Sequence, residues 1–166
     1  MSETYDNGLT YVLFRLGPEQ YALPVSSVVS VVRYQQPTPV PRASEEVLGV
    51  VNLRGRVLPV VDLGRRFGRS VFEASPSSRV VVAESAAGSV GVAVDSASEV
   101  VTFTEDEIKP VPESVLSNET AKAFRGMVER EAGLVVLLDP DEAMPRRDLD
   151  AMNTMVSPGT EAGSDG

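Results

Sequence analysis

Two clusters of acidic residues have side chains that could do chemistry. One is Glu105-Asp106-Glu107, and the other, at residues 139–142, reads DPDE. Paired carboxylates can act as acid and base or hold a metal ion. The sequence has no Cys and no His, which excludes zinc sites built on those ligands, Ser-His-Asp or Cys-His nucleophiles, and imidazole chemistry. Both clusters look like helix starts, where acidic side chains complement the dipole. We therefore predict a protein that is not an enzyme and uses no metal or cofactor.

The run NLRG, residues 52–55, is the second group whose side chains could do chemistry. Apolar segments flank it on both sides, so it has the pattern of a β-hairpin turn. Asn and Gly are common turn residues, but a turn does not need an arginine. A guanidinium there could bind carbonyls or carboxylates of a partner. The residue types leave two interpretations open, an ordinary polar turn or a binding site.

Valine-rich segments, broken about every 8–12 residues by Gly, Pro, Ser or Asn, predict that the elements carrying these groups are mainly β-strands. Helices are few and short. Valines 25, 28, 29 and 32 recur at helical spacing and predict about two helical turns. Asp139 is a candidate cap for a short helix that begins at Pro140. Pro59 lies in the strand after NLRG, so we expect that strand to be at an edge or to bulge.

Three segments recur in the same order, which indicates an internal duplication. VSSVVSVV at 25–32 resembles VDSASEVV at 94–101, a shift of 69 positions. PVP at 39–41 recurs at 110–112, a shift of 71. GVVNLRGRVLPVVD at 49–62 aligns without gaps on GMVEREAGLVVLLD at 126–139, a shift of 77. Each unit is thus a hairpin, a short helical turn, an extended proline segment and a second hairpin.

We place one domain at residues 8–145, with a first unit at about 8–70 and a second at about 79–145. Four or five short strands can close into a small barrel. A barrel of about 60–70 residues is marginally stable alone, so we expect the two to share an apolar seam. The pattern leaves open whether strands stay in their own unit or are exchanged. Residues 151–166 are polar and Gly-rich, and we expect a disordered tail.

The second copy separates what the hairpin requires from what the motif adds. Where the first copy reads NLRGR, the second reads EREAG. A hairpin of this type therefore closes without the motif. The fold does not account for Asn52, Leu53 and Arg54.

The run VLGVVNLRGRVLPVVDLGRRFG, preceded by YALPVSSVVSVVR and followed by FRGMVEREAGLVVLLD, resembles the CheW family of chemotaxis coupling proteins. The resemblance covers about residues 9–143. It implies two SH3-like barrels packed on each other. It also implies a non-catalytic adaptor that couples the cytoplasmic tip of methyl-accepting chemoreceptors to the histidine kinase CheA. Such an adaptor supports array assembly and kinase control and is recruited to membrane-associated arrays.

The resemblance also implies site residues, which are assigned by their position in the family's motif. The implied receptor-binding residues are Val28, Val31, Val32, Asn52, Leu53, Arg54 and Gly55. The implied contacts to the regulatory domain of CheA are Gly49, Arg56 and Val57. Valines at helical spacing are also ordinary core residues, so a structural interpretation of Val28, Val31 and Val32 stays open.

Two other binding functions fit a small β-barrel. A barrel that binds proline-rich peptides needs exposed aromatic residues, whereas this chain has no Trp and only four Tyr. A coupling protein of a non-flagellar pathway, such as twitching motility or a second-messenger output, would have the same fold and motif. That alternative stays open.

The net charge of −9, from 24 acidic and 15 basic residues, opposes binding to phosphate backbones, so we predict no nucleic-acid partner. Arg54, Arg56, Arg65, Arg66 and Arg69 are expected to form a local basic patch that meets an acidic partner. The amino terminus lacks a signal-peptide pattern. No apolar run approaches the roughly 20 residues that span a bilayer, so we expect a cytoplasmic protein without membrane insertion.

Overall fold

Ten β-strands form two five-stranded sheets in the computed structural model, which describes residues 9–68, 71–86, 88–112 and 118–144. The strands are β1 Thr10–Leu16, β2 Glu19–Pro24, β3 Val28–Arg33, β4 Val47–Leu53, β5 Arg56–Val61, β6 Arg79–Ser85, β7 Gly88–Val94, β8 Ser96–Thr102, β9 Phe124–Arg130 and β10 Gly133–Leu138. Three short helices accompany them: α1 Leu63–Arg66, α2 Asn118–Ala123 and α3 Pro140–Ala143. The predicted all-β fold with few short helices is confirmed.

Each sheet contains strands from both halves of the chain. The first sheet has the order β8-β1-β2-β10-β9, and the second has the order β3-β6-β7-β5-β4. The first hairpin of each half thus lies in the sheet built mainly from the other half. Strand exchange, which the sequence pattern left open, is a feature of this fold. The sheets therefore do not coincide with the two sequence units proposed at 8–70 and 79–145.

The strand pairings repeat between the two sheets, as the duplication predicts. In the first sheet Ala22 pairs with Leu137, and in the second Gly91 pairs with Val60. Adding 69 to Ala22 gives Gly91, and adding 77 to Val60 gives Leu137, so two of the sequence shifts connect these pairs.

The third shift, of 71 positions, connects two isolated bridges outside the strands. Thr38 pairs with Val50, and Lys109 pairs with Met127. Adding 71 to Thr38 gives Lys109, and adding 77 to Val50 gives Met127. The predicted extended segment at residues 37–41 therefore crosses β4, and its counterpart crosses β9.

The described residues form three apolar clusters, and the largest draws on both sheets. This seam cluster includes Phe14 and Leu23 of the first sheet, with Val81 and Val92 of the second. A second cluster lies within the first sheet around Tyr11 and Leu137, and a third lies within the second sheet. The third, which we call the second-sheet cluster, has the buried members Val51, Leu58, Val60, Val80, Val82 and Ala93. The expected shared seam is present.

The predicted helix over the valines at 25–32 is wrong. Residues Val25–Ser27 form a single 3₁₀ turn, and the strand β3 follows at once. Side chains along β3 alternate between half-buried and exposed, which is the period of a strand. β-Branched valines favour the extended backbone, and pairing of Val31 with Val81 and Val32 with Val80 outweighs the helical spacing.

Pro59 does not lie on an edge strand, because β5 has a neighbour on each side. Its partner Val50 exchanges two backbone hydrogen bonds with Thr38, at 2.8 and 2.9 Å, so Val50 turns its polar groups away from β5. Parallel pairing with β7 involves Val60 and Val61. Pro59 therefore occupies a position where neither neighbour requires an amide hydrogen, which is the condition for proline inside a sheet.

In each half, one aspartate follows the second hairpin and begins a short helix. Asp139 caps α3 as predicted, accepting hydrogen bonds from the amides of Asp141 and Glu142 with Pro140 in the first turn. Asp62 caps α1 and is fully buried. None of the helices in the described ranges is long and apolar enough to cross a bilayer. The expected tail at 151–166 lies outside the described residues.

Candidate protein-binding site

The NLRG run forms a two-residue turn between β4 and β5. Leu53 pairs with Arg56, so the loop consists of Arg54 and Gly55. Their φ angles are +54° and +85°, both in the left-handed region. This is the pattern of a type I′ turn, whose twist matches that of the flanking strands and whose usual residues are Asn-Gly. Arg is an unusual residue at the first position, since a side chain with Cβ disfavours a left-handed backbone.

Asn52 stabilises this turn through its side chain. Its Oδ1 atom accepts a hydrogen bond from the amide of Gly55 at 2.9 Å. Such local bonds between Asn and a nearby backbone group are a common device for holding turns. The bond gives Asn52 a structural task, and Gly55 supplies the second left-handed residue.

Arg54 is exposed, and it makes no hydrogen bond or ion pair within the described residues. Its neighbour Arg56 donates to the hydroxyl of Ser89 at 3.1 Å. No acceptor among the described residues takes a hydrogen bond from the Arg54 guanidinium, so its donors can serve an external acceptor.

Two arginines of the predicted basic patch form ion pairs within the protein. Arg65 contacts Glu45 at 2.8 Å, and Arg66 contacts Glu46 at 3.6 Å. Sequence spacing could not reveal these partners, because Glu45 and Glu46 reach α1 only through the pairing of β4 with β5. Arg69 lies outside the described residues. The expected patch of five arginines is therefore reduced by two ion pairs, and Arg54 is the member without a partner in the described part of the chain.

The second copy closes its hairpin in a different way. Arg130 pairs with Gly133, which leaves Glu131 and Ala132 as the loop. Neither has a positive φ, and Gly133 after them has a φ of +125°. A hairpin of the same loop length therefore forms without a left-handed residue at the first position. The left-handed Arg54 is specific to the first copy.

Arg130, the counterpart of Leu53, has a structural role at the edge of the first sheet. Its guanidinium donates to both carboxylate oxygens of Glu99 on β8, at 3.3 and 2.9 Å. This hydrogen bonding holds the pKa of Glu99 below its usual value and raises that of Arg130. The pair connects the two edge strands of the first sheet, β8 and β9. The second hairpin thus uses its arginine within the protein, whereas the first presents Arg54 outward.

The apolar candidates are divided among three environments. Leu53 and Val32 are both half-buried against the second-sheet cluster. Val28 packs against the seam cluster. Val31 is 40% exposed, and its neighbour Val29, which sequence reasoning assigned to an apolar helix face, is 56% exposed. The strand period would have identified Val29 and Val31 as the residues available to a partner.

Gly49 has a structural requirement that explains its identity. Its φ is +144°, and a Cβ at this position would overlap the carbonyl of Thr38 in the crossing segment. Its counterpart Gly126 is confined to a lesser degree, since a Cβ there would lie 2.9 Å from the carbonyl oxygen of Lys109, whereas a Cβ at Gly49 would lie closer still to the carbonyl oxygen of Thr38. Arg56 is exposed and Val57 is half-buried. A kinase contact at Gly49, Arg56 or Val57 stays a prediction.

The acidic clusters at 105–107 and 139–142 both serve as helix starts. Thr104 and Glu107 form a capping box around the turn Glu105–Glu107, with Thr104 donating its amide to Glu107 at 2.8 Å. Asp139 caps α3. In the described ranges, no group of three or more acidic side chains is arranged to hold a metal ion.

The sequence of this fold matches one family model over most of its length. The model of the CheW-like domain family matches residues 10–148. The chain belongs to this family. The match spans both halves of the duplication and includes both crossing segments.

The similarity to relatives and to a solved structure covers most of the chain. The chemotaxis protein CheW of Rhizobium meliloti is 31% identical over 147 residues, covering 88% of this chain and 94% of its own. The CheW of Bacillus subtilis is 31% identical over 146 residues, covering 88% and 93%. Among solved structures, the scaffolding protein TtCheW of Thermoanaerobacter tengcongensis superimposes with a TM-score of 0.73 at 28% identity, covering 82% of this chain and 87% of that one. The chain is therefore a member of a chemotaxis scaffold family.

Proposed function

We propose that this protein is a non-catalytic chemotaxis adaptor that couples the cytoplasmic hairpin tip of methyl-accepting chemoreceptors to the histidine kinase CheA. In this role it supports receptor array assembly and kinase control at the membrane. The observation that carries the receptor-binding part is Arg54, an exposed arginine without a partner in the described residues, on the turn where the family motif lies. Membership of a family with chemotaxis and scaffolding relatives supports the signalling context.

The surroundings of Arg54 suit a helical partner. Helical hairpins dock through apolar side chains in a groove, and Leu53 and Val32 supply apolar surface on one cluster of the second sheet. An arginine at the rim orients the partner by donating to carbonyls or carboxylates. Arg is enriched among interface residues whose truncation costs about 2 kcal/mol or more, which corresponds to about a 30-fold loss of affinity.

The decisive experiment compares Arg54→Glu with Arg42→Glu. Arg42 is a well-matched control, because it is also exposed, has a φ of +70°, and has no partner in the described ranges. Both variants change the net charge equally. We expect Arg54→Glu to abolish co-sedimentation with receptor-containing membranes, while Arg42→Glu retains it.

Melting temperatures distinguish loss of binding from loss of fold. Each variant should melt within about a degree or two of the wild type, as substitutions at exposed sites do. Retained receptor binding by Arg54→Glu, or unfolding of that variant, would contradict the assignment of Arg54. Equal loss in both variants would indicate a general charge effect.

The kinase-binding part of the proposal needs a separate experiment. Arg56 is the suitable probe, because its side chain is exposed and tied to Ser89 by a single hydrogen bond. Gly49 is unsuitable, since any side chain there would disturb the crossing segment. We expect Arg56→Glu to weaken capture of CheA's regulatory domain and to leave receptor binding intact. Unchanged CheA capture would remove Arg56 from the kinase contact.

A further inference from the structure

Asn52 belongs to the motif, yet its structural role differs from that of Arg54. We infer that Asn52 is a positioning residue, which holds the turn so that Arg54 points toward the partner, and that it does not itself contact the receptor. This inference rests on the proposed receptor-binding function.

The hydrogen bond of Asn52 acts on the peptide group that determines the direction of Arg54. Asn52 Oδ1 accepts a hydrogen bond from the amide of Gly55 at 2.9 Å. That amide belongs to the peptide unit joining Arg54 to Gly55. The orientation of that unit depends on ψ of Arg54 and φ of Gly55. The bond also closes a ring that runs through the backbone of Leu53 and Arg54, so it restrains φ and ψ of Arg54 together in the left-handed region. Without it, the ordinary backbone preference of an arginine opposes this conformation.

Among the described residues, the second copy has no equivalent bond and forms a different turn, with Glu131 and Ala132 in place of Arg54 and Gly55. Glu129 occupies the position of Asn52 and makes no side-chain bond to the amide of Ala132, the counterpart of Gly55. Its loop residues Glu131 and Ala132 both avoid positive φ. An alternative turn is thus accessible to a hairpin of the same loop length. Conversion of the first hairpin to that form would redirect the Cα–Cβ bond of Arg54.

Two variants distinguish positioning from direct contact. In the structure the carboxamide oxygen of Asn52 is used internally, and its NH₂ group is the part that could donate to a partner. Asn52→Asp keeps an acceptor oxygen and removes the NH₂ donor. Asn52→Ala removes both. Asn52 is exposed, so neither substitution disturbs the core.

The experiment measures binding of a soluble fragment of a receptor cytoplasmic hairpin to the full chain. We expect Asn52→Ala to weaken binding about threefold to tenfold, the range associated with ordering one long side chain. Asn52→Asp should bind within about twofold of wild type at about 0.5 M salt, where its added charge is screened. In an Arg54→Ala background, Asn52→Ala should cause no further loss, because a positioning residue acts only through its target.

A second readout does not depend on the receptor. The intraresidue amide–Hα NOE and coupling constant of Arg54 report the sign of φ, and we expect a change from positive to negative in Asn52→Ala but not in Asn52→Asp. Three results would overturn the inference: Asn52→Asp as weak as Asn52→Ala, an additive loss in the double variant, or an unchanged positive φ in Asn52→Ala. If Arg54→Ala alone binds normally, the proposed receptor site is wrong, and the φ measurement still decides whether Asn52 holds the turn.

Discussion

Replacing Arg54 by Asn should stabilise the protein and weaken receptor binding about 30-fold or more. Arg54 has a φ of +54°, and it makes no contact with a partner in the described residues that the substitution would remove. Asn tolerates this conformation far better than Arg, and Asn-Gly is the preferred pair for a type I′ turn. Stability and function should therefore change in opposite directions.

The size of the stabilisation follows from the backbone strain. A left-handed conformation costs an ordinary residue about 1–2 kcal/mol, of which Asn should recover about half, or about 0.5–1 kcal/mol. For a chain of 166 residues, 1 kcal/mol shifts the melting temperature by about 2–4 °C. We expect the melting temperature of Arg54→Asn to rise by about 1–4 °C.

The assay is thermal unfolding followed by circular dichroism, with receptor co-sedimentation on the same preparations. The matched control is Glu131→Asn in the second hairpin. Glu131 has the same loop position but no positive φ, so this variant should not gain stability. A lower melting temperature for Arg54→Asn, or an equal rise in Glu131→Asn, would refute the strain argument. Normal receptor binding by Arg54→Asn would refute the role of the guanidinium.

Four further substitutions test the fold and its pH dependence. Gly49→Ala should unfold the protein or lower its stability by more than about 2 kcal/mol, because the new Cβ overlaps the carbonyl of Thr38, as chemical denaturation would show. Gly55→Ala meets no atom within 4 Å and should cost only the strain of a φ of +85°, about 1–2 kcal/mol; equal losses for the two glycines would contradict the close crossing. Asp62→Ala should cost about 1–2 kcal/mol in the same assay, since a buried cap that accepts two backbone amides is lost, and a neutral result would exclude that role. Burial raises the pKa of Tyr21 to about 12, above the value of about 10 in an unfolded chain. The contribution of the neutral Tyr21 to the free energy of unfolding is therefore complete below pH 10 and is lost as the pH rises toward 12. Tyr21→Phe should therefore flatten the decline of unfolding free energy between pH 10 and 12, and an unchanged decline would assign it to other groups.

Much of the local structure could be predicted from hydrophobic pattern and turn residues. The strand segments, the cap at Asp139 and the three shifts of the duplication all follow from residue type and spacing, because they depend on neighbours along the chain. The helix predicted over residues 25–32 failed for a physical reason. Val25, Val28, Val29 and Val32 fit helical spacing, and pairing with β6 decided in favour of the strand β3.

The sequence predicted which residues belong to the candidate site, but not how these residues are arranged. Comparison of the two copies set Asn52, Leu53 and Arg54 apart from the residues that both hairpins share, but the inference that the fold does not account for Asn52 was wrong, because Asn52 holds the turn. The left-handed backbone at Arg54 could not be inferred, because Arg is not a signature of a type I′ turn. The ion pairs of Arg65 and Arg66 were also hidden, since their partners are distant in sequence.

By itself the sequence determined the all-β class, the duplication and the presence of a motif that the second hairpin lacks. These properties are local or internal to the chain, because alternation, turn chemistry and self-similarity are visible without knowing which strands pair. The tertiary structure decided that each sheet combines both halves, that Arg54 has no partner within the described ranges, and that Gly49 is required by a crossing segment. Those outcomes depend on which strands and segments are neighbours in the fold. The alternating pattern does not specify this, because a strand with one apolar face can pack against more than one neighbour.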